Sequence, residues 1–230
     1  MPVIEVKGVT KDYIDKGHVT THALRGVDLV IERGEFMAIA GPSGSGKTTL
    51  LNLIGALDVA TTGSIKVDGI ALEGMSQKQL SDLRRDRIGF VFQSYNLVPV
   101  LTAAENAEYV LELKGVSQAK RRARIAELFD RMGMKQLIDT RPLKMSGGQQ
   151  QRVAVARAIA SEPALVLADE PTANLDQQTG RALVALMREL NRERGVTFVF
   201  STHDPMVLEQ ADRVVRLVDG AIAADERKAA

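Results

Sequence analysis

Eight consecutive residues restrict the fold more than any other stretch of this chain: Gly41-Pro42-Ser43-Gly44-Ser45-Gly46-Lys47-Thr48. They follow an unbroken apolar run, Phe36–Ala40, and precede an apolar stretch, Lys47–Leu57. The octapeptide fits G-x-x-x-x-G-K-[ST] at every fixed position, and that pattern requires a strand, a loop and a helix in this order. The glycines let backbone N–H groups turn inward on phosphate oxygens, and the helix N-terminus adds positive potential. Lys47 is expected to reach β and γ phosphates, and the Thr48 hydroxyl to ligate Mg²⁺.

The rest of the chain is read around that unit. Val3–Val9 and Val27–Ile31 alternate in polarity, and Asp68-Gly69 separates Ser64–Val67 from Ile70–Leu72 as a hairpin turn would. Ile88–Phe92 reads as a short strand. From about Leu101 to Ser161 the composition becomes helical, predicting helices at Ala103–Lys114, Gln118–Met132 and Ser146–Ala160. Ser117 is a candidate cap for the second, and Gly133 a candidate stop. The last third returns to strands at Ala164–Ala168, Val196–Phe200 and Arg213–Val218, with helices at Gln178–Arg194 and Asp204–Gln210. Ala221–Ala223 closes a hairpin, and the tail from Asp225 is expected to fray. The simplest architecture is a parallel-sheet core with a helical insertion.

Bulk properties exclude several classes. With 30 basic and 29 acidic residues the net charge is +1, unlike the concentrated basic charge of a nucleic-acid binder. The absence of cysteine removes disulfides, zinc-thiolate sites and thiol nucleophiles. Met1–Glu5 lacks the basic start and apolar stretch of a secretory signal. Apolar runs such as Ala164–Ala168 are far too short to span a bilayer. A membrane role is therefore expected to come through a partner.

Two more segments carry chemistry. Leu165–Ala168 leads into Asp169-Glu170, and ionised carboxylates at the end of a buried strand need a cation or a reacting group. Asp169 is the natural Mg²⁺ partner. Glu170 is placed to polarise an attacking water at the γ phosphate. Ser146-Gly147-Gly148-Gln149 opens the third predicted helix. Its serine can cap the helix, and its bare backbone can approach an anion. Two glycines in a first turn weaken a helix by roughly 1 kcal/mol each, which a purely structural start should avoid.

Together these motifs resemble the nucleotide-binding subunit of ATP-binding cassette (ABC) transporters, from about Ile4 to Gly220. Met145-Ser146-Gly147-Gly148-Gln149 is similar to the family signature L-S-G-G-Q, with Met145 replacing leucine, an apolar swap of similar volume. The resemblance implies a single α/β domain over 1–230: a P-loop NTPase (RecA-like) core with an antiparallel β subdomain and an inserted α-helical subdomain. Residues 1–93 and 162–230 would form the α/β core and 94–161 the helical subdomain. It implies an ATP hydrolase using ATP and Mg²⁺. Gly41 to Thr48 and Thr49 would hold ATP, with Lys47, Glu170 and His203 catalytic. Gln93 resembles the glutamine that touches Mg²⁺, beside Thr48 and Asp169, and hinges the helical subdomain. His203 resembles the switch histidine on the γ phosphate, and Tyr13 the aromatic stacked on adenine. Two cassettes would meet head to tail, so that Ser146, Gly147, Gly148, Gln149 and Asp176 contact ATP seated on the second copy.

Local strings narrow the resemblance. Thr49–Asp58, Leu83–Gln93 and Leu167–Asp176 are similar to lipoprotein-releasing, macrolide-export and cell-division cassettes. That implies export or extraction of a lipoprotein, lipid or drug-type substrate through a separate integral-membrane permease, with a periplasmic adaptor as a further candidate partner and no nucleic acid. The cassette would sit peripherally on the cytoplasmic face of the inner membrane. A regulatory cassette that transmits a signal without transport shares every motif. A soluble GTPase or kinase does not fit, because the chain has no Asn-Lys-x-Asp run and no acceptor lid.

Overall fold

The computed structural model describes residues 1–15 and 18–228. Two sheets organise them. The smaller is antiparallel, in the order β2 (His18–Glu32), β1 (Pro2–Asp15), β4 (Thr62–Val67), β5 (Ile70–Ala71). The larger runs β10 (Ala221–Arg227), β9 (Arg213–Val218), β3 (Phe36–Ala40), β8 (Thr197–Thr202), β7 (Leu165–Asp169), β6 (Ile88–Phe92). Neighbours from β9 to β6 are parallel, and β10 joins the edge antiparallel.

The period of two sorts the large sheet's side chains between two cores. Phe36, Ala38, Val166, Ala168, Phe198 and Phe200 face one core. Met37, Ile39, Leu165, Leu167 and Val199 face the other. Strands covered on both faces read as continuous apolar runs, which is why β3 and β7 show no alternation. The second core is shared with the antiparallel sheet and encloses α1 (Lys47–Ile54), whose Leu50 and Leu53 meet Val6, Ile31 and Ile65. The first core is covered by α3 (Ala103–Leu113), α4 (Gln118–Arg131), α5 (Gly147–Ala160) and α6 (Gln177–Arg194). Leu111, Phe129, Val153 and Leu183 pack there with Val91 and Phe200. The helical insertion thus has no core of its own.

The structure corrects several expectations. Residues Gln77–Arg87 form a helix, α2, where only strands and turns were anticipated. Ser76 and Gln79 cap it reciprocally, a pattern visible as S-x-x-Q. Helix α1 ends at Ile54, three residues short of Leu57, and at its cap Gly55 a Cβ would meet the Phe90 ring at 2.7 Å. Strands β1 and β2 are far longer than the alternating runs suggested, and a register shift between Val6 and Val9 lets Gly8 take φ 55°. Ser117 precedes α4 without a capping bond, whereas Gly133, at φ 65°, does follow its last turn. The tail is not frayed at Asp225: β10 reaches Arg227, and Asp225 receives the Arg213 guanidinium at 2.6 and 2.7 Å.

Parallel pairing brings four strand ends level. Ala40 lies opposite Thr202, Ser201 opposite Asp169, and Asp169 opposite Phe92. The residues that follow are Gly41, His203, Glu170 and Gln93. They gather at the carboxyl edge of the sheet, where ligands bind in such folds.

Candidate functional site

The loop from β3 to α1 is shaped by contacts that only glycine tolerates. Gly46 has φ 101°, and a Cβ on it would lie 2.5 Å from the Ala23 carbonyl. A Cβ on Gly41 would strike the Leu217 carbonyl. Ser45 is buried, and its carbonyl accepts from Gly220 N at 3.1 Å, which ties the loop to the β9–β10 turn. Pro42, Ser43, Gly44 and Thr48 are exposed, and Thr49 is half-buried. No side chain caps α1 at Gly46, so its first N–H groups remain open to an anion. Lys47 is 8% exposed, and its Nζ donates to the carbonyls of Gly41 and Pro42 at 2.8 and 2.9 Å. A buried ammonium held by neutral carbonyls is a strong attractor for negative charge.

The acidic strand end meets this loop. Thr48 Oγ1 lies 3.2 Å from both Asp169 carboxylate oxygens, across 121 residues of sequence. Hydroxyl and carboxylate form an all-oxygen donor pair, the kind Mg²⁺ prefers when phosphate oxygens and water complete its shell. Among the described residues no group of three or more His, Cys, Asp or Glu could hold a metal by itself.

Glu170 stands apart in its backbone. Its φ is 44°, a left-handed conformation that costs a non-glycine residue roughly 1 kcal/mol or more and that clusters at functional sites. Its N–H donates to Ser201 O at 2.9 Å. Its Oε2 accepts from Thr202 Oγ1 at 3.0 Å, and its Oε1 lies 2.7 Å from His203 Nδ1. The carboxyl is largely buried, and the imidazole is 71% exposed. Thr202 was not singled out from sequence, because the strand was expected to end at Phe200. It continues to Thr202, and this extra pair of residues places the hydroxyl.

Gln93 is exposed at the end of β6, and its carbonyl accepts from Asn174 Nδ2 at 3.0 Å. Asp176 caps α6, accepting from Thr179 N at 2.9 Å and Thr179 Oγ1 at 2.6 Å. The side-chain bond from Thr179, and then the backbone one, hold its carboxyl below the usual aspartate range. Tyr13 sits on β1, 40% exposed, with its hydroxyl donating to Asp58 at 3.1 Å.

Ser146–Gln149 stands away from this edge in its contacts. Ser146 and Gln149 cap α5 reciprocally: Ser146 N donates to Gln149 Oε1 at 2.9 Å, and Gln149 N to Ser146 Oγ at 3.3 Å. Met145 is buried in the first core. Among the described residues none of these bonds reaches the Gly41–Thr48 loop. The two glycines also have a structural reason, which corrects the expectation that a purely structural start would avoid them. A Cβ on Gly147 would lie 2.7 Å from the Tyr95 hydroxyl, and one on Gly148 would strike Thr179 Cγ2.

Helix α5 supplies two further residues that sequence reasoning passed over. Gln151 is fully buried, and Arg157 donates to the carbonyls of Tyr95 and Asn96 at 2.9 and 2.5 Å. Burial depresses the Arg157 pKa. Gln151 shares a face with the buried Ala154, Val155 and Ala158, three, four and seven residues on, a helical spacing that could have exposed it.

A strand-end acid pair facing a phosphate-binding loop, with a helical insertion between them in sequence, defines a P-loop nucleoside triphosphatase. The ABC transporter family model matches residues 24–173, and the chain belongs to that family. It is an ATP-binding cassette. The lipoprotein-releasing system ATP-binding protein LolD of Anaeromyxobacter dehalogenans is 47% identical over 97% of this chain and 94% of its own length. The macrolide export ATP-binding/permease protein MacB of Mannheimia succiniciproducens is 43% identical over 99% of this chain, which matches 35% of that protein. Among solved structures, the dimeric post-hydrolysis state of the cassette MJ0796, from Methanocaldococcus jannaschii, bound to ADP and Pi, superposes with a TM-score of 0.90 at 42% identity, covering 99% of both chains. Among the described residues no helix is long and apolar enough to cross a membrane.

Proposed function

We propose that two copies of this cassette, arranged head to tail, hydrolyse ATP and thereby drive a separate membrane permease that exports or extracts a lipoprotein, lipid or drug-type substrate. The observation that carries the hydrolytic part is the approach of Asp169 to Thr48 at 3.2 Å with Glu170 next in the chain. Thr48, Asp169 and Gln93 are the residues that would hold Mg²⁺. The ion, when bound, neutralises charge on the β and γ phosphates. Lys47 exchanges two neutral carbonyls for anionic phosphate oxygens, which adds Coulombic attraction to its charge-assisted bonds. Residues Gly41–Thr49 cradle the phosphates, and Tyr13 stacks on the base.

Glu170 orients the attacking water and accepts its hydrogen bond. Both carboxylate oxygens already hold one partner, yet a carboxylate offers about four acceptor sites. Thr202 and His203 therefore fix the group without filling it. His203 remains exposed enough to reach the γ phosphate. Ser146, Gly147, Gly148, Gln149 and Asp176 contact ATP on the second copy. The dimeric relative and the names of the permease-linked relatives support the two partnerships, with a periplasmic adaptor as an additional one. The cassette binds the cytoplasmic face of the inner membrane peripherally.

The test is Glu170→Gln. Hydrolysis should fall by on the order of 10²- to 10³-fold while ATP binding persists and dimers accumulate. Wild-type turnover in that variant would refute the role of Glu170. Ser146→Arg should leave ATP binding intact and stop hydrolysis, and retained turnover would remove the shared-site arrangement. Purifying the native complex addresses the coupling: a permease bound to the chain supports transport, and a cell-wall hydrolase regulator supports signalling.

A further inference from the structure

Gln151 lies in the second turn of α5 and is fully buried. Its Nε2 donates to Pro171 O at 2.7 Å and to Phe92 O at 3.2 Å. Pro171 follows Glu170, and Phe92 precedes Gln93. Both neighbours are carbonyls, which fixes the amide with its nitrogen toward them. Among the described residues its Oε1 is buried with no partner. A side chain that only filled this space would do better as methionine, which has similar reach and strands no oxygen. The position therefore uses the amide for its two donors.

These bonds are part of a wider grip by α5. Arg157 holds the carbonyls of Tyr95 and Asn96, two successive residues at φ 58° and 51°. The open side of Gly147 admits the Tyr95 hydroxyl. One helix thus touches the end of β6 and the segment after it at three heights, and it touches the segment after β7 through Gln151.

We propose that Gln151 is a positioning residue that locks α5 to the ends of β6 and β7. The strand ends beside Gln93 and Glu170, which serve a chain's own ATP, then set the position of the Ser146–Gln149 turn it presents to a second copy. This rests on the head-to-tail reading above. Occupancy of one site is passed through Gln151 to the face that completes the other.

The experiment uses the full chain carrying Glu170→Gln, with Gln151→Met and Gln151→Glu added separately. Light scattering follows dimerisation against ATP concentration, and equilibrium dialysis with Mg-ATP follows binding. Gln151→Met should bind ATP within about twofold of its parent, yet need about tenfold or more ATP to dimerise. With Glu170 restored, half-maximal hydrolysis should likewise need about tenfold more ATP while the ATP binding constant changes little, and the Hill coefficient should drop toward one. A merely structural defect lowers the folded fraction and leaves that split unchanged. A buried Gln151→Glu carboxyl donates to a carbonyl only when protonated, so its kcat relative to wild type should rise as pH falls from about 8.5 to 6.

A folded Gln151→Met chain that dimerises at the parental ATP concentration would overturn the inference and leave the shared site standing. If the Glu170→Gln parent itself stays monomeric with ATP, the shared site falls and the inference falls with it. If Gln151→Met does not fold, the pH slope of Gln151→Glu decides: a rise supports the role, and a flat ratio overturns it.

Discussion

Helices α1 and α5 both begin at glycine-rich turns, and they are built in opposite ways. Gly46 opens α1 with no side-chain cap. Ser146 opens α5 with a reciprocal cap from Gln149, which already serves two of its N–H groups. The glycines differ in the same sense. Around Gly41 and Gly46 a Cβ would meet the backbone of Leu217 and Ala23, which cannot yield. Around Gly147 and Gly148 it would meet the side chains of Tyr95 and Thr179, which can. The first turn is held rigidly by backbone of its own chain, as the phosphate cradle proposed for it requires. The second is a partly filled helix end coupled to side chains from the segment after β6 and from the first turn of α6, as suits the surface proposed to be finished by a second copy.

The largest expected effect is in the rigid turn. Gly46→Ala forces a Cβ to 2.5 Å from the Ala23 carbonyl at φ 101°. The backbone strain should cost about 1–3 kcal/mol, and lost charge-assisted bonds should weaken ATP binding roughly a hundredfold. Unchanged binding by dialysis would break the contrast at its root. Next comes Gly148→Ala, expected to cost about 1–3 kcal/mol in thermal unfolding by overpacking Thr179. Thr179→Ser removes the offending methyl and keeps the hydroxyl on Asp176. The double variant should regain about half or more of that stability, because the two sites touch and couple. It should still hydrolyse ATP slowly, since the bare backbone at Gly148 is lost. Full recovery of turnover would assign that glycine to packing alone.

A smaller effect separates the cap from the ligand role. Ser146→Ala should lose about 1 kcal/mol of stability through the missing cap. Ser146→Asp keeps a capping oxygen but sets a negative charge where phosphate is proposed to dock. It should melt with the parent and hydrolyse far more slowly. The smallest effect is acid-dependent. Thr179 holds the Asp176 carboxyl below its ordinary value of 3.8, so the contribution of that cap is complete above this value. It is lost as pH falls through the depressed folded value. Protection from hydrogen exchange at the start of α6 should therefore fall in acid below about pH 4, with α1 and α5 unaffected. Asp176→Asn should abolish the difference.

Legibility followed the range of the interactions. The Gly41–Thr48 loop, the Asp169-Glu170 pair and the apolar strands beneath them are local patterns. Each stands where its residues placed it. The capping box of α2 was equally local and was overlooked among turns, as was the buried face of α5 that includes Gln151. The tie of Glu170 to Thr202 and His203 spans 32 and 33 residues and depends on β8 running two residues further than its apolar core. The pairing of β10 with β9, which pins Asp225, likewise has no local mark beyond the Asp219-Gly220 turn.

The sequence by itself determined that a phosphate loop, an acidic strand end and a second glycine-rich helix start belong to one α/β chain. Those features rest on residue types at fixed spacing, and backbone chemistry reads them without distant help. Only the tertiary structure decided that Thr48 meets Asp169 and that Thr202 and His203 brace Glu170. It alone assigned the glycines of α5 to Tyr95 and Thr179, and gave Gln151 the carbonyls at two strand ends. Such contacts arise from strand register and from helix packing across the sheet. They join residues far apart in the chain, and no local spacing encodes them.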